Sequence, residues 1–159
     1  MPLTTTARTA PDGVMLEDGF PTTIAFALKP AVAFWEKTVT PPGLDGGDAI
    51  EQTTMHNILY RTFASRSLIT MTDITVTAAW DPKLYDDILD LINEEGSITV
   101  HFSNGDTVDF FGYLRLFEPQ EESEGTQPEV QITITCTNRD PDTGAETAPN
   151  YKTANGTDA

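Results

Sequence analysis

The chain has 159 residues, enough for one domain with a real core, and no break in composition asks for a second. Its 25 Asp and Glu against 9 Lys and Arg give a formal charge of −16, which repels phosphate backbones and argues against a surface that grips nucleic acid. A single cysteine, Cys136, excludes an intramolecular disulfide framework, and its alternation with apolar residues in "VQITITC" points to a small buried hydrophobe.

The acid is unevenly spread. Residues 1–80 hold 8 acidic and 5 basic residues, whereas residues 81–159 hold 17 and 4. A lopsided field of this kind favours contact in one orientation over another, although solubility explains any single acidic residue. Residues 1–20 contain no continuous apolar stretch of the signal-peptide type, and no apolar run is long enough for a transmembrane helix, so no membrane partner is expected. "NGT" at 155–157 matches a glycosylation acceptor, which means little without a secretion signal.

In chain order, residues 1–20 read as an extended N-terminal arm, and 21–137 as a single β domain. "TTIAFAL" (22–28) alternates Ile24, Phe26 and Leu28 with smaller residues, the period of a strand. "AVAFWEKTV" (31–39) offers a second strand with Val32 and Phe34 on one face. Two prolines and three glycines within 41–47 rule out regular structure there, and nothing periodic appears across 40–66. A loop this long inside a compact domain usually has a function or is disordered.

Periodicity returns in "LITMTDITVTAAW" (68–80), a long strand with Ile74, Val76, Ala78 and Trp80 on one face and Asp73, Thr75 and Thr77 on the other. Asp81 caps a helix over 81–95 that starts on Pro82, buries a stripe of Leu84, Tyr85, Ile88, Leu91 and Ile92, and ends at Gly96. "SITVHFSNGDTVDFFGYLRLF" (97–117) is a β-hairpin turning at Asn104 and Gly105 as a two-residue type I′ turn. Its return strand is apolar on both sides, with Val108, Phe110, Leu114 and Leu116 on one and Phe111, Tyr113 and Phe117 on the other, so both faces should be covered. An acidic connector (118–129) leads to a closing strand, "VQITITCT" (130–137), and residues 138–159 read as a polar C-terminal tail. The expected fold is mainly β: an antiparallel sandwich or partial barrel with one flanking α-helix, an extended loop and terminal arms.

Little of this carries chemistry. His56 and His101 lack metal-ligand spacing, and Ser65, Ser67 and Ser97 lack a nucleophile-elbow context. "GLDGG" precedes no helix and has no Lys-Ser/Thr for a phosphate cradle. No catalytic residue, cofactor or metal is assigned, and an enzyme is not expected. What remains is three segments that a lone compact domain does not need. Among them, "TMHNILYRTFASR" (54–66) combines the anchors Met55, Ile58, Leu59, Tyr60 and Phe63 with the cations Arg61 and Arg66, as an interface arm facing an acidic partner would.

The order of elements, and the stretches "FWEKTVTPPGLDGGDAIEQTTMHN" (34–57), "YDDILDLINEEGSITVHFSNGDTVDFFGYLRLFEP" (85–119) and "SEGTQPEVQITITCTNRDP" (123–141), resemble the major tail tube protein of long-tailed bacteriophages over residues 13 to 148. The resemblance implies sixfold rings in which strands of every subunit close one β-barrel, stacked head to tail into a tube through which double-stranded DNA passes without specific binding. It further implies that the helix lies outside the sheet, that the loop 40–66 and the termini reach between rings, that other tail proteins are partners, and that the protein is made in the host cytoplasm and resides in the virion tail. Within that frame Met55, Ile58, Leu59, Tyr60, Arg61, Phe63 and Arg66 are assigned to the ring-to-ring interface. The polar strand residues Asp73, Thr75, Thr77, Glu129, Gln131 and Thr133 are assigned to the lumen, because they alternate with apolar ones and leave one solvated face. Two alternatives stand beside this reading: a tail terminator or head-to-tail joining ring, and a carbohydrate-binding β-sandwich using Trp35, Trp80 and Tyr113 as stacking platforms.

Overall fold

The structure is a computed structural model and describes residues 22–154. The expected N-terminal arm and the "NGT" sequence lie outside the described residues. Eleven strands and one α-helix follow in order: β1 (Thr23–Phe26), β2 (Trp35–Thr40), β3 (Leu44–Asp45), β4 (Ile50–Glu51), β5 (Phe63–Ala64), β6 (Thr70–Met71), β7 (Ile74–Ala79), α1 (Tyr85–Leu91), β8 (Gly96–His101), β9 (Thr107–Pro119), β10 (Glu129–Cys136) and β11 (Asn150–Lys152). The fold is mainly β, as the alternation predicts.

One antiparallel sheet runs in the order β1-β8-β9-β10-β7-β2, with β11 also paired to β9. The 13-residue β9 makes this possible, since residues 107–112 pair with β8 and residues 112–119 with β10. The sheet curls until its two edge strands meet. The backbone N–H of Ile24 on β1 donates to the Glu36 carboxylate on β2 at 3.1 Å, and Phe26 meets Phe34 edge to face at 5.8 Å. Inside the curl lies one core, in which Ile74, Val76, Ala78, Val100, Ile132 and Ile134 are fully buried. Excluding these alternate residues from water on one face, while the other stays polar, fixes the register of each strand.

Two bulges interrupt the register. Opposite β10, Leu114 faces Ile134 and Leu116 faces Thr133, so Arg115 has no partner. Opposite β7, Glu36 faces Ala78 and Thr38 faces Thr77, so Lys37 has none. An extra residue reverses the inside-outside parity of the strand beyond it. This corrects the expected faces of the return strand: Leu114 is buried, Leu116 is exposed, and Phe117 turns inward against Trp80 at 5.6 Å.

Gly112 sits where β9 passes from one pairing partner to the other. A Cβ there would stand 2.4 Å from the backbone oxygen of Thr135 on β10. Neither strand can withdraw without breaking its ladder, so Gly112→Ala is expected to destabilise the fold by about 1–3 kcal/mol, the usual range for overpacking. A urea midpoint equal to the parent's would reject this.

Five local expectations are corrected. The helix is shorter than 81–95: a 3-10 turn over Pro82–Leu84, capped by the Asp81 carboxylate accepting from Lys83 N–H, leads into α1, which ends at Leu91. Ile92 becomes extended and bridges Leu114 while Asn93, at φ 63°, donates its N–H to the Leu114 carbonyl, so β9 captures the chain and Gly96 begins β8. Of the expected stripe, Ile88 and Leu91 are buried, whereas Tyr85 is exposed. The hairpin turn spans three residues, not two. Gly105 N–H donates to the Phe102 carbonyl, and Phe102 N–H donates to the Asp106 carbonyl. Gly105 alone has positive φ, with Asn104 held by its own contact to Asp106 N–H.

The other three concern two segments read as irregular and one read as a single strand. Residues 138–154 belong to the fold: Arg139 bridges Glu146, and β11 pairs with the start of β9. The loop 40–66 is a β-hairpin arm, and the stretch 68–80 is divided between that arm and β7.

Candidate functional site: an apolar arm and a hydroxyl-lined sheet face

The arm is built from two short ladders. At its root β3 pairs with β6, Leu44 opposite Met71, and farther out β4 pairs with β5, Ile50 opposite Ala64. Strands of two residues have no detectable period, and side chains supply the missing order. At the tip, Asn57 accepts from Thr54 N–H at 2.9 Å and donates to the Tyr60 carbonyl at 2.9 Å, while the Thr53 hydroxyl accepts from Thr62 N–H at 3.0 Å. Asn and Thr satisfy backbone groups locally in this way where no ladder can.

The arm buries almost nothing of its own. Met55 is 101% exposed, Ile58 93%, Leu59 81% and Tyr60 80%, and Phe63, Leu44, Ile50, Leu68 and Ile69 are exposed as well. Single exposed hydrophobes are ordinary, but a concentration like this on a projecting element marks an interaction surface. The two cations are already engaged. Arg61 lies 3.4 Å from the Glu51 carboxylate, and Arg66 Nε donates to the Asp48 carbonyl at 2.8 Å. Both tie one side of the hairpin to the other, and Glu51 offsets the charge of Arg61, so the tip itself presents mainly apolar surface. Sequence reading misses Leu44, Leu68 and Ile69; the signal that picks out Met55 extends to them, but the alternation in 68–80 claims the latter two for a core strand.

The second surface is the outer face of β2, β7, β10 and the end of β9. Register places Thr40, Thr75, Thr133 and Leu116 in one row across the four strands, and Thr38, Thr77, Gln131 and Glu118 in the next. Trp35, Ala79 and Glu129 form a third row. The strand residues assigned from the sequence thus share one face, with Asp73 just before β7. Thr133 departs from the expectation of a solvated side chain, at only 7% exposed. The acids at the two ends are paired: Asp73 with Arg115 at 3.3 Å, and Glu129 with Lys37. Between them lie hydroxyls and an amide, with Leu116 and the exposed carboxylate of Glu118 at the β9 edge. This face has no pair of coplanar aromatic platforms, because Trp35 stands exposed while Trp80 packs inward on Phe117.

Beside the hairpin turn, Asp106 clasps the C-terminal segment. It accepts from Tyr151 Oη, from Ala154 N–H at 2.8 Å and from Asn104 Nδ2 at 2.9 Å, and Lys152 pairs with Asp109 at 3.2 Å. The Tyr151 hydroxyl, with the other two donors, holds the Asp106 carboxyl below the usual carboxylate range, and the same contact pushes the Tyr151 phenol up. A depressed carboxylate stabilises the fold above its unfolded pKa and loses that contribution as pH falls through its folded one. A raised phenol stabilises below its unfolded pKa and is lost as pH rises through the folded value. The clasp should therefore hold at neutral pH and open at both extremes, below about pH 4 on the acid side and above about pH 10 on the alkaline side. NMR of the Tyr151 and Lys152 amides will follow it, and Asp106→Asn should loosen both at neutral pH. Unchanged amides in that variant would show that the β11 ladder suffices.

At the end of β10, Cys136 donates to the Thr72 carbonyl at 3.6 Å, and burial, with Asp73 nearby, pushes its thiol up to about 11. It is half-buried rather than fully buried as expected, and the raised pKa keeps it protonated at neutral pH.

The fold is similar to those of components of phage-like particles. One is a chain of an anti-feeding prophage baseplate determined with sixfold symmetry, at TM-score 0.56 and 8% identity, covering 92% of this chain and 99% of that one. Others are chains of the tail of an empty gene transfer agent particle refined with C6 symmetry (TM-score 0.54) and of the native gene transfer agent virion (TM-score 0.53). Each of these two is 10% identical and covers 77% of this chain and 95% of its own. No protein-family model matches the chain. No curated protein matches it by sequence. At these identities the likeness establishes the fold, which is that of tail and baseplate components.

Proposed function

We propose that the protein is a structural subunit of a phage-type tail tube, located in the virion tail and forming sixfold rings that stack head to tail. The observation that carries this reading is the arm: a hairpin that projects from the domain, is ordered by its own hydrogen bonds and presents its apolar side chains to solvent. Such an element gains its stabilisation only when another chain covers it. The sixfold symmetry of the particles with similar folds supports a ring. If the arm is covered by an unlike surface of the next copy, the contact is heterologous and propagates, as stacking requires.

In this reading the hydroxyl-lined face forms the lumen wall. The sequence suggests a wall that repels phosphate by its acidity; the pairing of Asp73 and Glu129 refines this to a weakly acidic wall on which Glu118 is the acid without an ion pair among the described residues. Either kind lets a polyanion slide, since grip on DNA comes mainly from unpaired cations that displace its counterions. Electron microscopy of the purified protein tests the proposal. Hollow tubes or stacked rings with Thr75, Thr77 and Gln131 facing the channel support it, single unstackable rings favour the terminator reading, and a protein that stays monomeric at all concentrations defeats both. A tube with those side chains on its outer surface would overturn the lumen assignment alone.

A further inference from the structure

The apolar surface of the arm lies in two separate places. One is the tip, with Met55, Ile58, Leu59 and Tyr60. The other is the root, where Leu44, Leu68 and Ile69 are 70%, 82% and 63% exposed and, with Met71, Ala148 and Pro149, border a groove of about 620 Å³. We propose that this groove is the receptor for the arm tip of a second copy of the chain. The inference rests on the tail-tube reading and adds the site at which the arm docks.

The tip does not fill its own groove. Side chains that are 80–101% exposed are covered by nothing, and the two ladders hold tip and root at opposite ends of the hairpin. Size is compatible, because sites of about 300–1,000 Å³ hold a drug-sized ligand, the bulk of two or three side chains such as Leu59 and Tyr60.

Charge does not oppose this contact, because the acids lie on one of the two surfaces only. Residues 53–62 contain no acid, and their ionisable side chains are His56, Tyr60 and Arg61. The groove carries Glu146, which has no ion pair among the described residues, and Asp140 and Asp142 lie in the same segment. The one cation of that segment, Arg139, is bound to both oxygens of Glu95 at 2.7 Å, so it does not offset them. An acid-free apolar tip thus faces an acid-rimmed apolar groove. The occupant is a copy of this chain because every copy brings one tip and one groove, and a contact between them leaves a free tip at one end and a free groove at the other.

Two variants test this. Leu59→Glu spoils the tip and Ile69→Glu spoils the groove, and both positions are exposed, so both proteins should melt like the parent. Each alone should need roughly 100-fold more protein to assemble, as loss of a buried apolar anchor at the joint implies. A 1:1 mixture retains one sound tip and one sound groove, and should stop at two-layer complexes in sedimentation. In parallel, Leu59→Cys and Ala148→Cys subunits should form a mixed disulfide on oxidation, with Cys136 a poor competitor because its thiol is held at about pKa 11. If the parent makes tubes while Ile69→Glu does so equally well, or if tubes form without the mixed disulfide, the groove is not the receptor. A parent that makes neither rings nor tubes overturns the tube reading, and this inference with it.

Discussion

On the proposed tail-tube function, replacing residues 46–69 by Asn-Gly is expected to give a folded subunit that no longer polymerises. Asp45 and Thr70 are paired residues of β3 and β6, so a two-residue turn can join them without moving the root of the arm. The loss should fall almost wholly on assembly, because no residue of 46–69 contributes to the buried core. Covering four or five large side chains contributes about 1.5–3 kcal/mol each before the costs of association are subtracted. A remainder of only about 3 kcal/mol is a factor of more than 100 in affinity. The shortened protein should keep the parent's melting temperature and stay monomeric at concentrations where the parent forms tubes. Normal tubes from it would mean that the rings are joined elsewhere.

The opposite pattern is expected for Leu91→Ala. Leu91 is 2% exposed, at the end of α1 where the chain is captured by β9. Large-to-small changes at such positions cost about 2–5 kcal/mol, a large share of the roughly 5–15 kcal/mol that holds a domain folded. At about 3 °C per kcal/mol for a chain of this size, the melting point should fall by roughly 6–15 °C. Leu89→Ala is the control, since Leu89 is 59% exposed on the same helix and should shift stability by no more than about 0.5 kcal/mol. Equal melting of Leu91→Ala and parent would show that the helix is not anchored through this residue.

The elements that repeat are the ones that can be read from the sequence. Alternation locates β7, β8 and β10 and the apolar face of each, because burial on one side is itself a period-two constraint. It fails where the parity changes. Nothing local distinguishes Arg115 from its neighbours as a bulge; its place is set by how β9 must bend between β8 and β10. The helix start is legible in Asp81 and Pro82, but its end is not, since the Leu114 carbonyl that takes the Asn93 N–H lies 21 residues farther on. In the arm, ladders of two residues leave no period at all. The anchors at the tip are legible by composition, whereas the engagement of Arg61 and Arg66 within the hairpin depends on a pairing that composition does not encode.

The two ladders of the arm are separated by residues 46–49 on one side and 65–69 on the other, and this interval is bridged by the hydrogen bond from Arg66 to the Asp48 carbonyl. Gly47, at φ 79°, packs against the same arginine side chain. Mechanically this is a chain of two stiff links with a pivot between them. Pulled along its length, the covalent backbone on both sides carries the load; bent, it resists with little more than one side chain. A column whose storeys were joined by six such links could follow a curve without any storey changing shape, in the way that a watch strap bends while its plates stay rigid.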